Sequence, residues 1–344
     1  MAGPERAEFE DVPACLLCST AGTLRYSSLR DWMFGAPGTA QLLRCPECGL
    51  LWLSPRLTRA SIGLAYGDYY THQDLSARFF GRLRAATRAL VLEDGLGDRG
   101  RKRPIARVVL GGVLSAIPFV AERVEPLVVE FRHRGPQRLL DVGSGDGVFL
   151  AAMQGAGWDV SGLEPDPVAA RRAREKLGVR VLDGSLDTVD PGAGAFDVVT
   201  ARHVLEHVHD PVAFLTSCYR ALRPGGRLIV LTPNSRSYCH RIFGRHWQHL
   251  DPPRHLHVFS RSSLEKCAAA ARLRLVRIRS LGRWSRTTWQ SSRLIRRDGH
   301  LTPSQAPVRL LLEGACFAVI ESLLSWGPSD VGEELLLIAA KPAE

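Results

Sequence analysis

The residues best placed to do chemistry lie in a glycine-rich segment, Asp141-Val-Gly-Ser-Gly-Asp-Gly147. This segment directly follows an apolar run typical of a buried strand and precedes a helix-like pattern. Gly143 and Gly145 can turn the chain sharply and let its backbone approach a ligand where a Cβ atom would interfere. Glu164 ends the next strand-like run, and a carboxylate there can accept hydrogen bonds from ribose hydroxyls. The segment therefore predicts a nucleoside-binding loop.

Two nucleoside cofactors bind such loops, and the glycine spacing separates them. A dinucleotide loop has the pattern G-x-G-x-x-G/A, whose third small residue lets the helix pack closely beneath a pyrophosphate. Here Val148 holds that position, and the third glycine comes one residue early, at Gly147. S-adenosylmethionine (SAM) has no pyrophosphate, but its amine and sulfonium are cationic and can be stabilised by Asp141. The pattern favours SAM over NAD, so a NAD-dependent oxidoreductase has little support.

A second set of chemistry-bearing residues is the two C-x2-C pairs, Cys15 with Cys18 and Cys45 with Cys48. Each pair places two thiolates on one side of a tight turn, and two pairs complete a tetrahedral zinc site. Four thiolates leave no open coordination position, so we expect the zinc to be structural. The remaining cysteines fall in helix or strand patterns and are predicted to be core residues: Cys218, Cys239, Cys267 and Cys316.

The elements that must position these residues alternate between strand and helix across residues 136–281. The predicted strands are Arg138–Val142, Asp159–Glu164, Arg180–Leu182, Phe196–Thr200, Arg227–Leu231, Arg274–Ser280 and Glu334–Ala340. Such alternation predicts a doubly wound α/β fold, in which a mostly parallel, seven-stranded Rossmann-like sheet is covered on both faces. Ligands of such sheets bind beyond the C-terminal ends of the strands, where the glycine loop lies.

Composition and the flanking segments indicate the domain organisation. The 344 residues are 45% apolar and 23% charged, with a formal charge of +10, which is typical of a globular protein with a sizeable core. We expect a small zinc-ribbon-like module at 1–60, a helical lid or linker at 61–135, and the catalytic domain at 136–344 with a lid insertion at about 282–330. The N terminus lacks a signal-peptide pattern, and no apolar run is long enough to span a bilayer, so we predict a cytoplasmic protein.

Three segments, in this order, resemble the class I SAM-dependent methyltransferases. Leu139–Gly147 is similar to their first motif. Thr200–Pro211 resembles the segment after the fourth strand in the branch that contains the ubiquinone-biosynthesis O-methyltransferases. Ala221–Val230 is similar to the LxPGG turn that leads into their fifth strand. The resemblance covers roughly residues 136–281, with Glu334–Pro342 as the closing strand, and it implies a SAM-dependent methyltransferase.

The resemblance also implies which residues bind the cofactor. Asp141 and the backbone around Gly143 and Gly145 would hold the methionine end of SAM, and Glu164 would hold its ribose. These roles agree with the chemistry expected of the loop and the strand end.

Further contacts are implied at the ends of the third and fourth strands. Asp183, or the backbone of its neighbours Gly184 and Ser185, would face the adenine. Arg202 and His203, at the end of strand four, would lie beside the cofactor.

Methyl transfer to a hydroxyl or carbon nucleophile requires alignment and a base that works near neutral pH. His203 is the first candidate, because the end of strand four faces the methyl group in the resembled fold. The segment Arg245–Phe259 resembles a stretch that contributes to the acceptor pocket in this branch, and it offers His249 and His255 as further candidates. Each of these histidines could instead cap a helix or satisfy a backbone group.

The acceptor is the least defined part of the prediction. Residues 72–135 and 282–330 are insertions that combine arginines with apolar side chains, and a basic amphipathic surface can bind anionic lipid. We therefore expect O- or C-methylation of a small-molecule, saccharide or lipid-linked acceptor, with peripheral membrane contact, although ordinary helical lids would have the same pattern.

Two other functions share part of this evidence. An RNA-modifying methyltransferase could use the zinc module and the arginines to bind RNA, but no Asn/Asp-Pro-Pro-Tyr/Phe motif follows strand four. A zinc scaffold without catalysis is disfavoured by the intact glycine loop.

Overall fold

The computed structural model describes residues 7–36, 38–66, 137–301, 308–325 and 330–343. The chain divides into two compact units. The first unit comprises Met1–Tyr69, Arg202–Thr216 and Val230–Ala340, and the second comprises Tyr70–Ala201, Ser217–Ile229 and Lys341–Glu344. The domain boundaries expected from the sequence stay predictions, because nearly all of the expected lid at 61–135 lies outside the described residues.

The strands and α-helices of the described residues are, in chain order, β1 (Phe9–Glu10), β2 (Thr23–Leu29), β3 (Ala40–Arg44), β4 (Leu51–Leu53), β5 (Arg56–Leu57), β6 (Arg138–Val142), α1 (Val148–Gly155), β7 (Asp159–Glu164), α2 (Pro167–Leu177), β8 (Val181–Asp183), β9 (Phe196–Arg202), α3 (Pro211–Ala221), β10 (Leu222–Pro233), α4 (Tyr238–Phe243), β11 (His257–Val258), α5 (Arg261–Ala270), β12 (Arg274–Leu281), α6 (Ser285–Asp298), α7 (Val308–Ser325) and β13 (Glu334–Ala340). None of the helices in these ranges is long and apolar enough to cross a membrane.

Seven strands form one sheet in the order β12-β13-β10-β9-β6-β7-β8. β6 pairs in parallel with β7 and β9, and β7 pairs in parallel with β8, whereas β12 and β13 are antiparallel. β7 and β8 lie on one side of β6, and the next strand in the chain, β9, lies on its other side. The predicted α/β fold with a mostly parallel, seven-stranded sheet is confirmed, and the turn that leaves β6 lies at the switch point between these two directions.

Local sequence signals explain how the second unit forms its elements. The side chain of Asp166 caps α2 by accepting a hydrogen bond from Val168 N at 2.9 Å, and Pro167 occupies the first turn. Gly178 ends the helix in the left-handed conformation, at φ 65°. The buried face of α2 consists of small residues, Ala169, Ala170 and Ala173, which allow other elements to approach it closely.

The first unit contains a separate antiparallel sheet in the order β11-β4-β3-β2. Strand β4 pairs with β11, which lies some two hundred residues later in the chain. Leu42, Leu53, Trp247 and Val258 belong to one hydrophobic cluster. The cysteine-bearing segment therefore shares its sheet and its core with the later part of the first unit.

The predicted burial of the four remaining cysteines holds for three of them. Cys218, Cys239 and Cys267 are buried, but Cys316 is exposed on α7. The core prediction for Cys316 is wrong, because the apolar sequence of α7 continues around its solvent face.

Candidate active site

The glycine loop leaves β6 through three residues in the left-handed region, with φ of 69° at Gly143, 56° at Gly145 and 75° at Gly147. A Cβ atom at Gly145 would meet nothing within 4 Å, so open space lies above this residue. A Cβ atom at Gly147 would instead lie 2.7 Å from the Cβ of Ala173 on α2. Gly145 therefore leaves room for a ligand, whereas Gly147 allows α1 to start close against α2.

The amide hydrogens of this loop are used inside the protein. Gly143 N and Ser144 N donate to Leu163 O at 2.7 and 3.2 Å, respectively. Gly145 N donates to Glu164 Oε2 at 2.7 Å. A pyrophosphate is normally bound by free amides of such a turn, so these three donors are not available to it. The arrangement suits a nucleoside ligand without phosphate groups.

Two buried carboxylates frame the loop. Asp141 is fully buried, and its Oδ1 accepts a hydrogen bond from Thr200 Oγ1 at 2.6 Å. Glu164 is 6% exposed and accepts amide hydrogen bonds from Gly145 and, at 3.0 Å, from Asp166. Burial raises the pKa of Glu164 above its ordinary value, although the two amide hydrogen bonds oppose the shift. A ligand that brings hydroxyl donors or positive charge would stabilise both carboxylates.

The remaining predicted cofactor residues lie in different surroundings. The carboxylate of Asp183 forms a bidentate pair with Arg174 on α2, at 2.8 and 3.3 Å. Gly184 N donates to Glu164 O at 2.9 Å, so the backbone after β8 lies against the end of β7. Arg202 ends β9 and belongs to the first unit. The adenine contact of Asp183 and the cofactor contact of Arg202 stay predictions.

His203 directly follows β9 and lies between two buried glutamates. Its Nδ1 is 3.2 Å from Glu206 Oε1, and its Nε2 is 2.6 Å from Glu334 Oε1. Both ring nitrogens therefore face carboxylates, and the two glutamates raise the pKa of His203 to about 10 even though burial opposes the shift. The backbone at His203 has φ 55°, a conformation that costs a non-glycine residue energy and is concentrated at functional sites.

This arrangement weighs against His203 as the catalytic base, a role that stays a prediction. An imidazolium whose two N–H groups point at carboxylates has no lone pair with which to accept a proton at neutral pH. Glu206 is fixed in turn, because its Oε2 accepts a hydrogen bond from Thr232 Oγ1 at 3.0 Å. The positive charge of His203 lowers the pKa of Glu206 to about 2 against the effect of burial. The two carboxylates thus favour the protonated form of the His203 ring.

Backbone contacts and burial define the surroundings of three further histidines in the first unit, His207, His249 and His255. The Nδ1 of His255 lies 2.7 Å from His249 O, and the Nδ1 of His207 lies 3.0 Å from Arg254 O, so each Nδ1–H donates to a backbone carbonyl. Burial, with positive neighbours, lowers the pKa of His249 and of His207 to about 4. His249 Nε2 is 3.0 Å from Thr288 Oγ1. His207 and His249 are therefore neutral at pH 7.

Glu206, His207 and His255 come close enough to one another to bind a cation. One ligand atom each from Glu206, His207 and His255 lies within 4.8 Å of the other two. The rings of His207 and His255 meet edge to face, with centroids 4.7 Å apart. The structure thus brings His255 together with His207, whereas the sequence analysis had singled out only His255 and His249 from this region.

The four predicted zinc ligands come together at the N-terminal end of the first unit. The sulfur atoms of Cys15, Cys18, Cys45 and Cys48 all lie within 4.8 Å of one another. The Sγ atoms of Cys15 and Cys48 are 3.7 Å apart, and a tetrahedron with Zn–S bonds of about 2.3 Å has edges of about 3.8 Å. Lys266 Nζ is 3.3 Å from Cys18 Sγ, which places a positive charge beside the thiolates.

Comparison with known proteins shows what the chain is similar to. Residues 117–278, just under half of the chain, match the family model described as a methyltransferase domain, Methyltransf_23. Proteins similar to this chain include the ubiquinone biosynthesis O-methyltransferase of Cereibacter sphaeroides (strain ATCC 17025), which is 37% identical over 117 residues. That match covers 32% of this chain and 47% of the relative.

A second relative is the enzyme of the same name from Pseudomonas aeruginosa (strain UCBPP-PA14), 30% identical over 158 residues, which are 44% of this chain and 62% of the relative. The chain thus spans about half to three fifths of the length of these curated relatives. Among solved structures, the [4+2]-cyclase SpnF gives a TM-score of 0.46 at 21% identity and covers 65% of this chain and 82% of its own. A methyltransferase of Thermotoga maritima gives a TM-score of 0.43 at 20% identity, with coverages of 67% and 92%.

The first prediction concerns the buried charges around His203. Replacing His203 with Gln leaves Glu206 and Glu334 without their counter-charge. Removing one partner of a buried pair typically costs about 3–5 kcal/mol, and because His203 is 34% exposed we expect about 2 kcal/mol. The pKa of His203 lies above its unfolded value, so its stabilising contribution is complete below about pH 6.5 and is lost as the pH rises through about 10.

Urea unfolding of wild type and His203→Gln at a series of pH values measures this difference. The gap should be largest near neutral pH and should narrow towards pH 10. His300→Gln, an exposed histidine of the same unit, is the matched control. Equal unfolding free energies for His203→Gln and wild type at pH 7 would contradict the charge assignment.

Proposed function

We propose that this chain transfers the methyl group of SAM to a hydroxyl group of a small-molecule acceptor. The observation that carries the proposal is the hydrogen bond from Gly145 N to Glu164 Oε2, which joins the open glycine loop to the carboxylate at the end of β7. The O-methyltransferase names of the relatives support oxygen as the acceptor atom.

Glu164 has the hydrogen-bonding capacity that a ribose needs. Each of its oxygen atoms already accepts one amide hydrogen bond, from Gly145 or from Asp166. A carboxylate has about four lone-pair positions, so one position on each oxygen remains for the two ribose hydroxyls. In the proposal Asp141, beside Gly143 and Gly145, offsets the positive charge at the methionine end of the cofactor.

When bound, SAM supplies a methyl group activated by its sulfonium. The protein must align the acceptor hydroxyl with that methyl group and remove the hydroxyl proton. We propose that His249 or His255 would take the hydroxyl proton: His249 lies 3.0 Å from Thr288 Oγ1 and is neutral at pH 7, and the Nδ1 of His255 is fixed by His249 O.

We also propose that the four cysteines bind one structural zinc ion. Backbone N–H groups approach the second cysteine pair, and Cys48 N lies 3.5 Å from Cys45 Sγ. These N–H groups lower the pKa of Cys45 to about 7, although burial opposes the shift. Burial instead raises the pKa of Cys15 and of Cys48, so these two thiols would lose their protons as the metal binds. Four thiolates close the coordination shell, so this ion would stabilise the fold of the first unit and take no part in methyl transfer.

The cofactor assignment predicts the effect of replacing Glu164 with Gln. The variant keeps the side-chain shape but loses a charged acceptor, and hydrogen bonds to charged groups contribute about 1.5–3 kcal/mol. Calorimetry should therefore show S-adenosylhomocysteine binding about 10- to 100-fold more weakly than in wild type. Release of S-adenosylhomocysteine from SAM with a panel of small hydroxylated aromatics and sugars should fall in parallel.

Asp159→Asn, at the opposite end of the same strand, provides the matched control, because Asp159 is an exposed residue paired only loosely with Arg138 at 3.5 Å. Its affinity should equal that of wild type. An affinity within twofold of wild type for Glu164→Gln would remove the basis of the proposed site.

The assignment of the base predicts how the imidazoles titrate. In NMR spectra of protein labelled at histidine with nitrogen-15, His249 should stay neutral down to about pH 4 and His203 should stay protonated up to about pH 10. Spectra of His249→Gln and His203→Gln assign the two signals. With an acceptor in hand, removal of the base should lower kcat by about 10²- to 10⁴-fold, whereas His300→Ala should not change it. A His203 signal that titrates near pH 6.5 would restore it as a base.

The zinc assignment predicts about one zinc ion per purified chain by elemental analysis. Cys45→Ser should lose the metal and lower the melting temperature, since the binding energy of a structural zinc adds to folding energy. Cys316→Ser, an exposed cysteine outside the cluster, should keep both. A metal-free chain with an unchanged melting temperature would refute a structural zinc.

A further inference from the structure

The helix α7 presents apolar side chains to solvent along one whole face. The exposed positions on this face recur at helical spacing, and all of them are apolar: Val308, Leu311, Leu312, Ala315, Cys316, Val319, Ile320, Leu323 and Leu324. We call this set the outer face of α7. The buried positions of the same helix include Gly314 and a charged residue, Glu321. The outer face is thus at least as apolar as the inner face, the reverse of an ordinary surface helix.

The inner face is already occupied by α6. A Cβ atom at Gly314 would lie 2.9 Å from Arg286 O and 3.0 Å from Gln290 Nε2, so the two helices touch closely at this glycine. The rings of Trp289 and Phe317 pack beside it, with centroids 4.4 Å apart. Contacts with α6 therefore fix the orientation of α7 within the first unit. Among the described residues, the outer face stays exposed.

The outer face is large for a surface in contact with water. Val308 is 71% exposed, and Leu312 and Leu323 are each 62% exposed. From position 308 to position 324 the helix extends about 24 Å at 1.5 Å per residue. Contiguous apolar patches of this kind mark protein or membrane interaction sites.

Arginines lie at the edge of the outer face. A cavity of about 460 Å³ between α6 and α7 is lined by Arg293, Leu294, Arg296, Arg297, Arg309, Leu310 and Glu313. Glu313 pairs with Arg309 at 3.1 Å and lies 3.7 Å from Arg293. Arg297 pairs with the neighbouring Asp298. Four guanidinium groups thus meet two carboxylates, and the edge keeps a net positive charge.

The charge of this edge distinguishes among the partners that could cover the outer face. A second copy of the chain would bring two arginine edges together, which is unfavourable for like charges. A nucleic acid would match the arginines but would leave the apolar side chains in water. Anionic phospholipid offers both parts at once, because its headgroups attract arginine and its acyl boundary accepts leucine and valine.

We propose that the outer face of α7 and the arginines beside it bind the surface of a bilayer that contains anionic phospholipid. The helix would lie in the interface plane, with Leu312, Cys316 and Val319 at the acyl boundary and Arg296 and Arg297 among the headgroups. This surface is made entirely of first-unit residues, and the proposal does not depend on methyl transfer or on zinc.

Cys316 gives a direct test, because it lies in the middle of the outer face and is the exposed cysteine of the chain. Labelled there with an environment-sensitive fluorophore, the full-length protein should show a blue-shifted emission with vesicles of phosphatidylcholine and phosphatidylglycerol, and little shift with phosphatidylcholine alone. Cys316→Ser, taken through the same labelling, reports any reaction at the four-cysteine cluster. Sedimentation with the vesicles measures the affinity, which should fall as salt is raised.

Variants separate the apolar contribution from the charge contribution. Leu312→Asp combined with Leu323→Asp should weaken vesicle binding at least about tenfold, since each side chain loses its burial in the interface. Arg296→Glu combined with Arg297→Glu should weaken binding to the anionic vesicles about tenfold or more. Leu24→Asp on β2, where Leu24 is 59% exposed, is the matched control and should bind like wild type. Circular dichroism of each variant verifies that it is folded.

Three results would overturn the proposal. The first is wild-type vesicle affinity in the Leu312→Asp, Leu323→Asp variant. The second is a label at Cys316 that stays in water while the protein sediments with vesicles. The third is a Cys316–Cys316 disulfide dimer, formed without lipid under mild oxidation and lost in the leucine variant, which would show that a second copy covers this face.

Discussion

The histidine-rich loop of the first unit depends on one buried arginine. Arg254 is fully buried and donates to both oxygens of Asp31 and to both oxygens of Asp251, at 2.6–3.0 Å. Both carboxylates raise the pKa of Arg254 against the effect of burial, so its charge is permanent. An unpaired ion at such a position would be very costly, whereas two bidentate pairs satisfy the planar guanidinium. Because Asp31 precedes the loop by more than two hundred residues, this contact joins the early strands to the segment that carries His249 and His255.

The same arginine also determines the state of its neighbours. Its backbone carbonyl accepts the Nδ1–H of His207, which leaves the other nitrogen of that ring as the acceptor. Asp251 adopts φ 30°, a conformation that its two contacts with Arg254 help to maintain. The loop histidines are thus oriented by a charge network that contacts no ligand itself. Their low pKa values follow from burial within this network, since nearby cations and low solvent access both disfavour a second positive charge.

The parts of the fold and site that the sequence predicted are those encoded locally. The bounds of β6, β7 and β13 agree with the predicted strands residue for residue, because each is a short apolar run with clear turn signals at its ends. β10 instead begins at Leu222, before the expected Arg227, because the strand includes the Pro-Gly-Gly segment. The loop glycines and Glu164 come together because parallel neighbours bring their C-terminal ends to one edge. The spacing of the loop glycines and Glu164 in the sequence was therefore enough to predict that they lie together.

The roles of the histidines could not be predicted in this way. What His203 can do is decided by Glu334, which lies in another element 131 positions later and is fully buried at the start of an otherwise apolar strand. The sequence showed two acids, Glu333 and Glu334, ahead of a hydrophobic run, which is as typical of a solvated strand end. Only the three-dimensional structure brings Glu334 beside His203, and this contact favours the protonated ring. A histidine motif therefore predicts that proton transfer can occur, but the groups around the ring decide whether the ring is protonated.

Helix α7 is a second case in which the local sequence did not predict the surroundings of a side chain. The sequence predicted that Cys316 on this helix would be a core residue, and a helix packed on a core normally turns its acids outward. Here Glu321 is buried, and Glu333 nearby accepts a hydrogen bond from Trp247 Nε1 at 2.9 Å. Burial raises the pKa of Glu333 to about 7, so the interior can hold this carboxyl group partly protonated rather than exclude it. A hydrogen bond between the side chains of Glu321 and Glu333 offsets part of the cost of burying an acid, so this contact helps to fix which face of α7 points inward.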